Sequence, residues 1–369
     1  MTVMKEILAD KSLKELEEIV KSFGQPIYRA KQLYAWVLLG VPYEGMTNLP
    51  VGFCAQLAEY YSDTAVQIEK TLRSEDGSEK YLYRLADGEM IEGVFLPNRY
   101  GNTLCVSTQV GCRMGCAFCA SGLSGLTRNL SAGEILGQFI AVSAQQLINP
   151  DKTKNEDGMC VREKSTDGRA ISNVVLMGSG EPFDNYENVV KFIRLISDPN
   201  GLKVSPRNLS LSTCGLVPPI RRLADEKFGV TLSLSLHATT DVIRQRLMPI
   251  AKKYSLQETI SAVKYYFERT GRRVIFEYSL IKGINVSLDD AKRLAALSKG
   301  LSCHINLIQL NRVPELNLAG CSGKEAGDFL KTLTELGVSA TLRRSYGSDI
   351  GGACGQLRNT YVKNGGTRS

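Results

Sequence analysis

Gly111-Cys112-Arg113-Met114-Gly115-Cys116-Ala117-Phe118-Cys119 sets three cysteines in a C-x3-C-x2-C spacing. An apolar, β-branched run over 103–108 precedes it and reads as a strand. Ser121-Gly122-Leu123-Ser124-Gly125 follows, and a helical pattern begins near Ser131. The cysteines therefore stand on a loop after a strand. The chain's ten cysteines are irregularly spread, which suits a reducing compartment better than a disulfide framework. Thiolates this close in sequence then point to a metal or a cluster. A structural zinc closes on four ligands, yet the next cysteine is Cys160 and no histidine lies nearby. A cubane iron–sulfur cluster is ordinarily held by four cysteines. Three leave one iron open, and an open iron can bind a substrate.

Downstream of this loop, strand and helix patterns alternate. Strands read over 103–108, 173–177, 208–212, 230–236, 274–280 and 305–310, with helices between them over 133–146, 185–196, 256–270 and 288–298. Alternation of this kind implies βαβ units and a parallel sheet, so the fold class is α/β. Six units are too few for a closed eight-fold barrel, and an open six-stranded partial barrel is expected. Upstream, residues 4–61 read as short helices. Tyr34 and Trp36 on one of them suit core packing better than base stacking. Residues 66–97 alternate around the turns Asp76-Gly77 and Asp87-Gly88, a β-meander. The expected organisation is a helical accessory domain (1–65), a β-meander extension (66–102), an α/β core (103–345) and a tail (346–369).

In parallel α/β architectures chemistry collects where strands end. Met177-Gly178-Ser179-Gly180-Glu181-Pro182 follows the second strand, Ser212-Thr213-Cys214-Gly215 the third and Ser235-Leu236-His237-Ala238 the fourth. Asn311 follows the sixth. Glycines at such ends let a backbone come close to a ligand. His237 is one of two histidines; the other, His304, reads as structural. Two further cysteines stand apart from the triplet. Cys105 lies seven residues before it, and Cys354 sits in Ala353-Cys354-Gly355-Gln356-Leu357 near the end of the chain.

Taken together, these motifs resemble the radical S-adenosylmethionine (SAM) enzymes, and within them the RlmN and Cfr family of RNA adenine methyltransferases, on the RlmN side. The resemblance covers nearly the whole chain. It implies a radical SAM partial (β/α)6 barrel in which Cys112, Cys116 and Cys119 hold one [4Fe-4S] cluster. It also implies that Gly180, Glu181, Ser212, Ser235, Leu236, His237 and Asn311 line the SAM site. Ser179 stands where relatives usually carry Met. Two SAM are used per turnover, one as methyl donor and one as radical source. Cys354 would accept a methyl group, which is activated by loss of a hydrogen atom and added to C2 of an adenine. Cys105 would help remove the C2 proton and then attack the sulfur of Cys354, leaving a transient disulfide. Glu92 holds the family's general-base position. Covalent catalysis of this kind divides one hard step into easier ones, and an electron-poor aryl carbon cannot displace a methyl group from a sulfonium directly.

The substrates implied are an adenine of 23S rRNA and adenine 37 of tRNAs. The partners implied are a one-electron reductant such as flavodoxin or ferredoxin and a disulfide reductant, with the enzyme acting as a monomer. The formal net charge of +7 is compatible with RNA. Residues 1–65 carry a slight acidic excess and 341–369 a basic one, so Arg343, Arg344 and Arg358 are candidate phosphate contacts. No apolar run approaches the roughly 20 residues of a membrane helix, and the first residues lack the apolar stretch of a signal peptide. A cytoplasmic location without a membrane partner is expected. Two rivals stand beside this reading. One is a Cfr-like methyltransferase acting on adenine C8. The other is a non-catalytic, metal-containing RNA-binding factor, which has no use for Cys105 and Cys354.

Overall fold

The computed structural model describes residues 5–98, 101–148, 169–357, 361–362 and 366–367; Cys160 and Arg358 lie outside them. Three helices come first, α1 (Leu13–Ser22), α2 (Tyr28–Leu39) and α3 (Val51–Tyr60). Ten strands then join one sheet in sequence order. They are β1 (Gln67–Arg73), β2 (Glu79–Arg84), β3 (Met90–Leu96), β4 (Thr103–Cys105), β5 (Asn173–Leu176), β6 (Leu209–Thr213), β7 (Thr231–Ser235), β8 (Val274–Leu280), β9 (Cys303–Gln309) and β10 (Ala340–Arg343). β1 to β4 pair antiparallel. β4 to β10 pair parallel. The parallel crossovers carry α4 (Ala132–Ile148), α5 (Tyr186–Ile196), α6 (Val217–Glu226), α7 (Asp241–Leu247), α8 (Leu256–Thr270), α9 (Leu288–Ser298) and α10 (Gly323–Glu335).

The alternation read from the sequence is present with one more unit than expected. Six parallel strands were anticipated, and β10 makes a seventh. Its four residues, Ala340-Thr341-Leu342-Arg343, sit half-exposed on an edge. A pattern that short carries no period of its own. The mature strands follow a rule set by the two sides of the sheet. Leu209 and Leu211, Leu232 and Leu234, Phe276 and Tyr278, and Ile305 and Leu307 are buried in the main core. The residues between them point the other way, and Ser212, Ser235, Glu277 and Ile308 line one cavity. Strands β5 to β10 all contribute to that cavity, so the sheet curls around it as an open partial barrel.

Helix ends follow local chemistry. Ser12 with Glu15, Ser255 with Glu258, Ser287 with Asp290 and Ser322 with Glu325 form capping boxes at the starts of α1, α8, α9 and α10. The N-terminal helices share the central core, which runs continuously from Leu8 to Leu333. Tyr34 is buried with its hydroxyl donating to Asp198 Oδ2 at 2.9 Å, and Trp36 Nε1 donates to Asn48 Oδ1 at 2.6 Å. Both rings serve packing, as their spacing suggested. Among the described residues no helix is long and apolar enough to cross a membrane.

Candidate active site

The cysteine loop is closed at its base by a two-stranded ribbon, Gln109–Gly111 against Leu126–Asn129. Gly111, at φ 76°, has no room for a side chain: a Cβ there would stand 2.0 Å from the Gly125 carbonyl oxygen. The loop is fastened from both sides. Ala117 N–H donates to the Leu247 carbonyl at the end of α7, and Ala120 N–H donates to the Gly355 carbonyl of the tail. Cys112, Cys116 and Cys119 line one cavity. Burial pushes the Cys112 thiol up to about 12 and raises Cys116 well above the ordinary thiol value, and neighbouring thiols add to both shifts. Thiols crowded in this way lose their protons readily only to a metal centre.

A cation stands ready behind them. Arg244 is fully buried, and its Nη2 donates to the Cys214 carbonyl at 2.7 Å, while Nε and Nη1 have no hydrogen-bond partner. Burial lowers its pKa, with Cys214 and Cys116 opposing. A desolvated guanidinium with idle donors beside Cys116 is complementary to an anionic, thiolate-bound cluster. On both counts the residues present fit the cluster.

The Gly178-Ser179-Gly180-Glu181 segment crosses the strand that leads into the loop. Ser179 N–H donates to Ser107 Oγ at 2.8 Å, and the Ser179 carbonyl accepts from Thr108 and Gln109. Glu181 N–H donates to Gln109 Oε1 at 2.9 Å. The two glycines answer to this crossing and also line the cavity. A Cβ on Gly178 would meet Ser107 Oγ at 2.6 Å, and one on Gly180, at φ 108°, would meet Gln109 at 2.7 Å. Gly180→Ala is therefore expected to cost about 2–3 kcal/mol. Urea unfolding of the variant against wild type measures it, and an unchanged midpoint would contradict the crossing.

Glu181 is buried, accepting from Phe183 N–H at 3.1 Å and Cys214 N–H at 2.8 Å. Burial still raises its pKa, opposed by the N–H groups of Cys214 and Phe183 and by the Thr213 side chain. A buried carboxyl facing a cavity in this way suits a ligand ammonium, such as the amino group of SAM. Ser212 Oγ lies 3.4 Å from Ser235 Oγ on adjacent strands, and both line the cavity with Gly180, Glu181, His237 and Asn311. Leu236 is different: its side chain is fully buried in the core, and its N–H donates to the Glu277 carbonyl.

His237 takes a left-handed backbone, φ 54°, which turns its ring into the site. Its Nδ1 accepts from Ser279 N–H at 3.0 Å, and the ring meets Phe118 edge-on at 4.6 Å. Burial, aided by Arg244, depresses its pKa to about 3, so the ring is neutral. The unfolded chain binds that proton near 6.5 and the folded chain does not. Stability from this group is complete above pH 6.5 and is lost as pH falls toward 3, at up to about 1.4 kcal/mol per unit. His237→Gln is expected to flatten the pH dependence of urea unfolding between pH 6.5 and 5. A slope equal to wild type would refute it.

The tail carries the fourth side of the site. Asn311 Nδ2 donates to the Cys354 carbonyl at 3.1 Å, Ser121 Oγ to the Leu357 carbonyl at 2.7 Å and Gln356 Nε2 to the Arg312 carbonyl at 3.1 Å. Ser179 Oγ stands 3.3 Å from Ser121 Oγ, so the residue that departs from the family pattern adjoins a tail anchor. Cys354 lines the cavity of the three clustered cysteines and also a smaller one that it shares with Cys105. Burial and the adjacent Cys354 push the Cys105 thiol up to about 12. The Cys354 thiol is also raised by desolvation, with Arg343 pulling it down.

Arg343, expected as a phosphate contact, lines both cavities, its Nη1 3.8 Å from Glu277 Oε2. The position of β10 explains this, because that strand ends beside the thiols. Arg344 lines the smaller cavity with its guanidinium over Tyr346. Glu92 is buried and pairs with Lys80 at 2.7 Å in a third, neighbouring cleft. Glu277 escaped the sequence reading altogether. Its Oε1 accepts from Asn306 at 2.9 Å, and its Oε2 is buried without a hydrogen-bond partner at the cavity. A lone carboxylate inside Val274-Ile275-Phe276-Glu277-Tyr278 was the available signal. Cys214, assigned no role, lines the cavity and holds Glu181 through its N–H.

Comparison with known proteins agrees with this geometry. Residues 154–295 match the Radical SAM superfamily. A probable dual-specificity RNA methyltransferase RlmN of Clostridium perfringens (strain 13 / Type A) is 46% identical over 99% of this chain and 100% of its own. One of Alkaliphilus oremlandii is 46% identical over 96% of this chain and 97% of its own. The crystal structure of a radical SAM methyltransferase from Sphaerobacter thermophilus superposes with a TM-score of 0.88 at 41% identity, covering 95% of this chain and 99% of that one. The family works with a [4Fe-4S] cluster and SAM. With relatives this similar along its whole length, the chain belongs to the RlmN family of radical SAM RNA methyltransferases.

Proposed function

We propose that this enzyme methylates C2 of a specific adenine in 23S rRNA and adenine 37 of tRNAs in the cytoplasm. The observation that carries the reading is the cavity shared by Cys105 and Cys354, opening beside that of Cys112, Cys116 and Cys119. Adenine C2 needs a covalent carrier, and two thiols within one cavity supply a carrier and a resolving partner.

Cys112, Cys116 and Cys119 hold the cluster. Gly180, Glu181, Ser212, Ser235, His237 and Asn311 surround SAM, with Leu236 shaping the wall from behind. When bound, the cluster and SAM supply the methyl group, one electron and the means of abstracting a hydrogen atom. Cys354 carries the methyl carbon as a thioether, with Arg343 beside it favouring the thiolate that must form first. Cys105 is protonated at rest because burial raises its thiol. It gives up that proton to a base, attacks the sulfur of Cys354 as the thiolate, and forms the disulfide as the sulfur–carbon bond breaks. The electron pair of that bond is left on the methylene carbon, which takes up a proton to become the product methyl group. A disulfide reductant restores both thiols, and a one-electron donor such as flavodoxin or ferredoxin serves the cluster. Glu92 remains the candidate base, with Lys80 fixing its carboxylate.

Nucleoside mass spectrometry of RNA from cells with and without the gene tests the assignment. Loss of 2-methyladenosine on deletion supports it. Loss of 8-methyladenosine in its place moves the reaction to the other ring carbon.

A further inference from the structure

The cleft that holds Glu92 has a volume of about 370 Å³ and faces the tail through Gly351 and Gln356. Its floor is the inner face of β1 to β3. Leu72 stands opposite Lys80, Lys80 opposite Val94, and Val94 opposite Cys105. Residues opposite one another share a face, and so do residues two apart on a strand. Lys70, Lys80 and Cys105 therefore lie on one continuous surface. Strands about 4.8 Å apart put Lys80 roughly 10 Å and Lys70 roughly 15 Å from the line of Cys105. Arg312, on the segment after β9, borders the cleft from the other side. Lys70 and Arg312 are exposed.

The lining has two chemistries. Lys70, Lys80 and Arg312 outnumber Glu92, and Leu72, Leu82 and Pro314 are apolar. Cations beside an apolar floor suit a ligand with an anionic end and a flat, weakly polar body, which describes a nucleotide pulled out of its stack. A target adenine inside folded RNA has to be extruded to reach a buried thiol, and its backbone must then be held near the cavity mouth.

We propose that this cleft is the RNA subsite for the extruded strand, with Lys70 and Arg312 contacting the phosphodiesters that flank the target nucleotide. The proposal rests on the RNA adenine methylation reading. It moves the main phosphate contacts from the tail arginines to the meander and the segment after β9.

The test uses cluster-reconstituted enzyme with SAM and an RNA stem-loop that contains a target adenine. Dissociation constants are measured over a salt series for wild type, Lys70→Gln, Arg312→Gln, the double variant, and Lys14→Gln on the exposed side of α1 as a control. Each cleft variant is expected to bind roughly fivefold to tenfold more weakly, with the slope of log K on log salt shallower by about 0.7 per charge removed. Lys70→Arg should restore the slope, and Lys14→Gln should match wild type. Circular dichroism and iron content report on folding. A double variant with wild-type affinity and slope, in an enzyme that still methylates the RNA, overturns the cleft assignment and leaves the function standing. Salt-dependent binding lost in the double variant, with no methyladenosine made by wild type, upholds the phosphate contacts and removes the methylation reading.

Discussion

Cys354→Ala should leave an enzyme that makes no methylated adenine, with a loss on the order of a thousandfold or more, the scale seen when a covalent catalyst is removed. The loss should not be a folding defect. Cys354 belongs to no buried core cluster, and the tail is held by other groups: the Cys354 and Leu357 carbonyls, the Gln356 side chain and the Gly355 carbonyl. An alanine keeps every backbone bond in that set. Iron content and thermal melting are thus expected to match wild type while product disappears. Complementing a deletion strain and quantifying 2-methyladenosine is the direct measurement. Restoration by Cys354→Ala would end the methyl-carrier role.

Cys105→Ala should fail in a different way. If Cys354 carries the methyl carbon and Cys105 releases it, removing Cys105 stops the cycle after the carbon has joined adenine. Protein and RNA then stay linked through Cys354. The expected result is turnover below about one product per enzyme, together with an adduct that survives denaturing electrophoresis and is lost on Cys354→Ala in the same chain. Cys105 is buried beside Val94 and Leu357, and alanine leaves a small void there, worth about 1 kcal/mol. That cost is too small to unfold a large domain, so the adduct should be observable. Full turnover without an adduct would assign product release to another group.

Much of this protein could be read from its residues because its periodicities are plain. The Leu-Ser-Leu-Ser and Thr-Leu-Ser-Leu-Ser runs of β6 and β7 separate a helix-facing layer from a cavity-facing one. The cysteine spacing sits on a loop of fixed local geometry. The strand-end motifs converge because parallel strands bring all their C-terminal ends to one side. What the sequence left unsaid has physical causes as well. Gly178 and Gly180 line the cavity as their position suggested, and they also accommodate residues 106–109, a packing partner some seventy positions away that the local sequence does not announce. The place of Arg343 beside the thiols was not legible because nothing in four residues announced an edge strand that ends there. Glu277 was passed over because a strand of aromatic and aliphatic neighbours reads as core.

The sequence by itself determined the α/β class, the meander and the cysteine triplet, while the pairing of Cys105 with Cys354 came from the family resemblance. The first three are a matter of local period, turn chemistry or motif spacing. Only the tertiary structure decided which groups share a cavity. It set Arg244 beside Cys214 and Cys116, Glu277 and Arg343 beside Cys354, and Glu92 in a cleft with Lys80. These contacts join residues tens to hundreds of positions apart, so they depend on the curl of the sheet and on where the tail lies across it. No short stretch of the chain encodes either one.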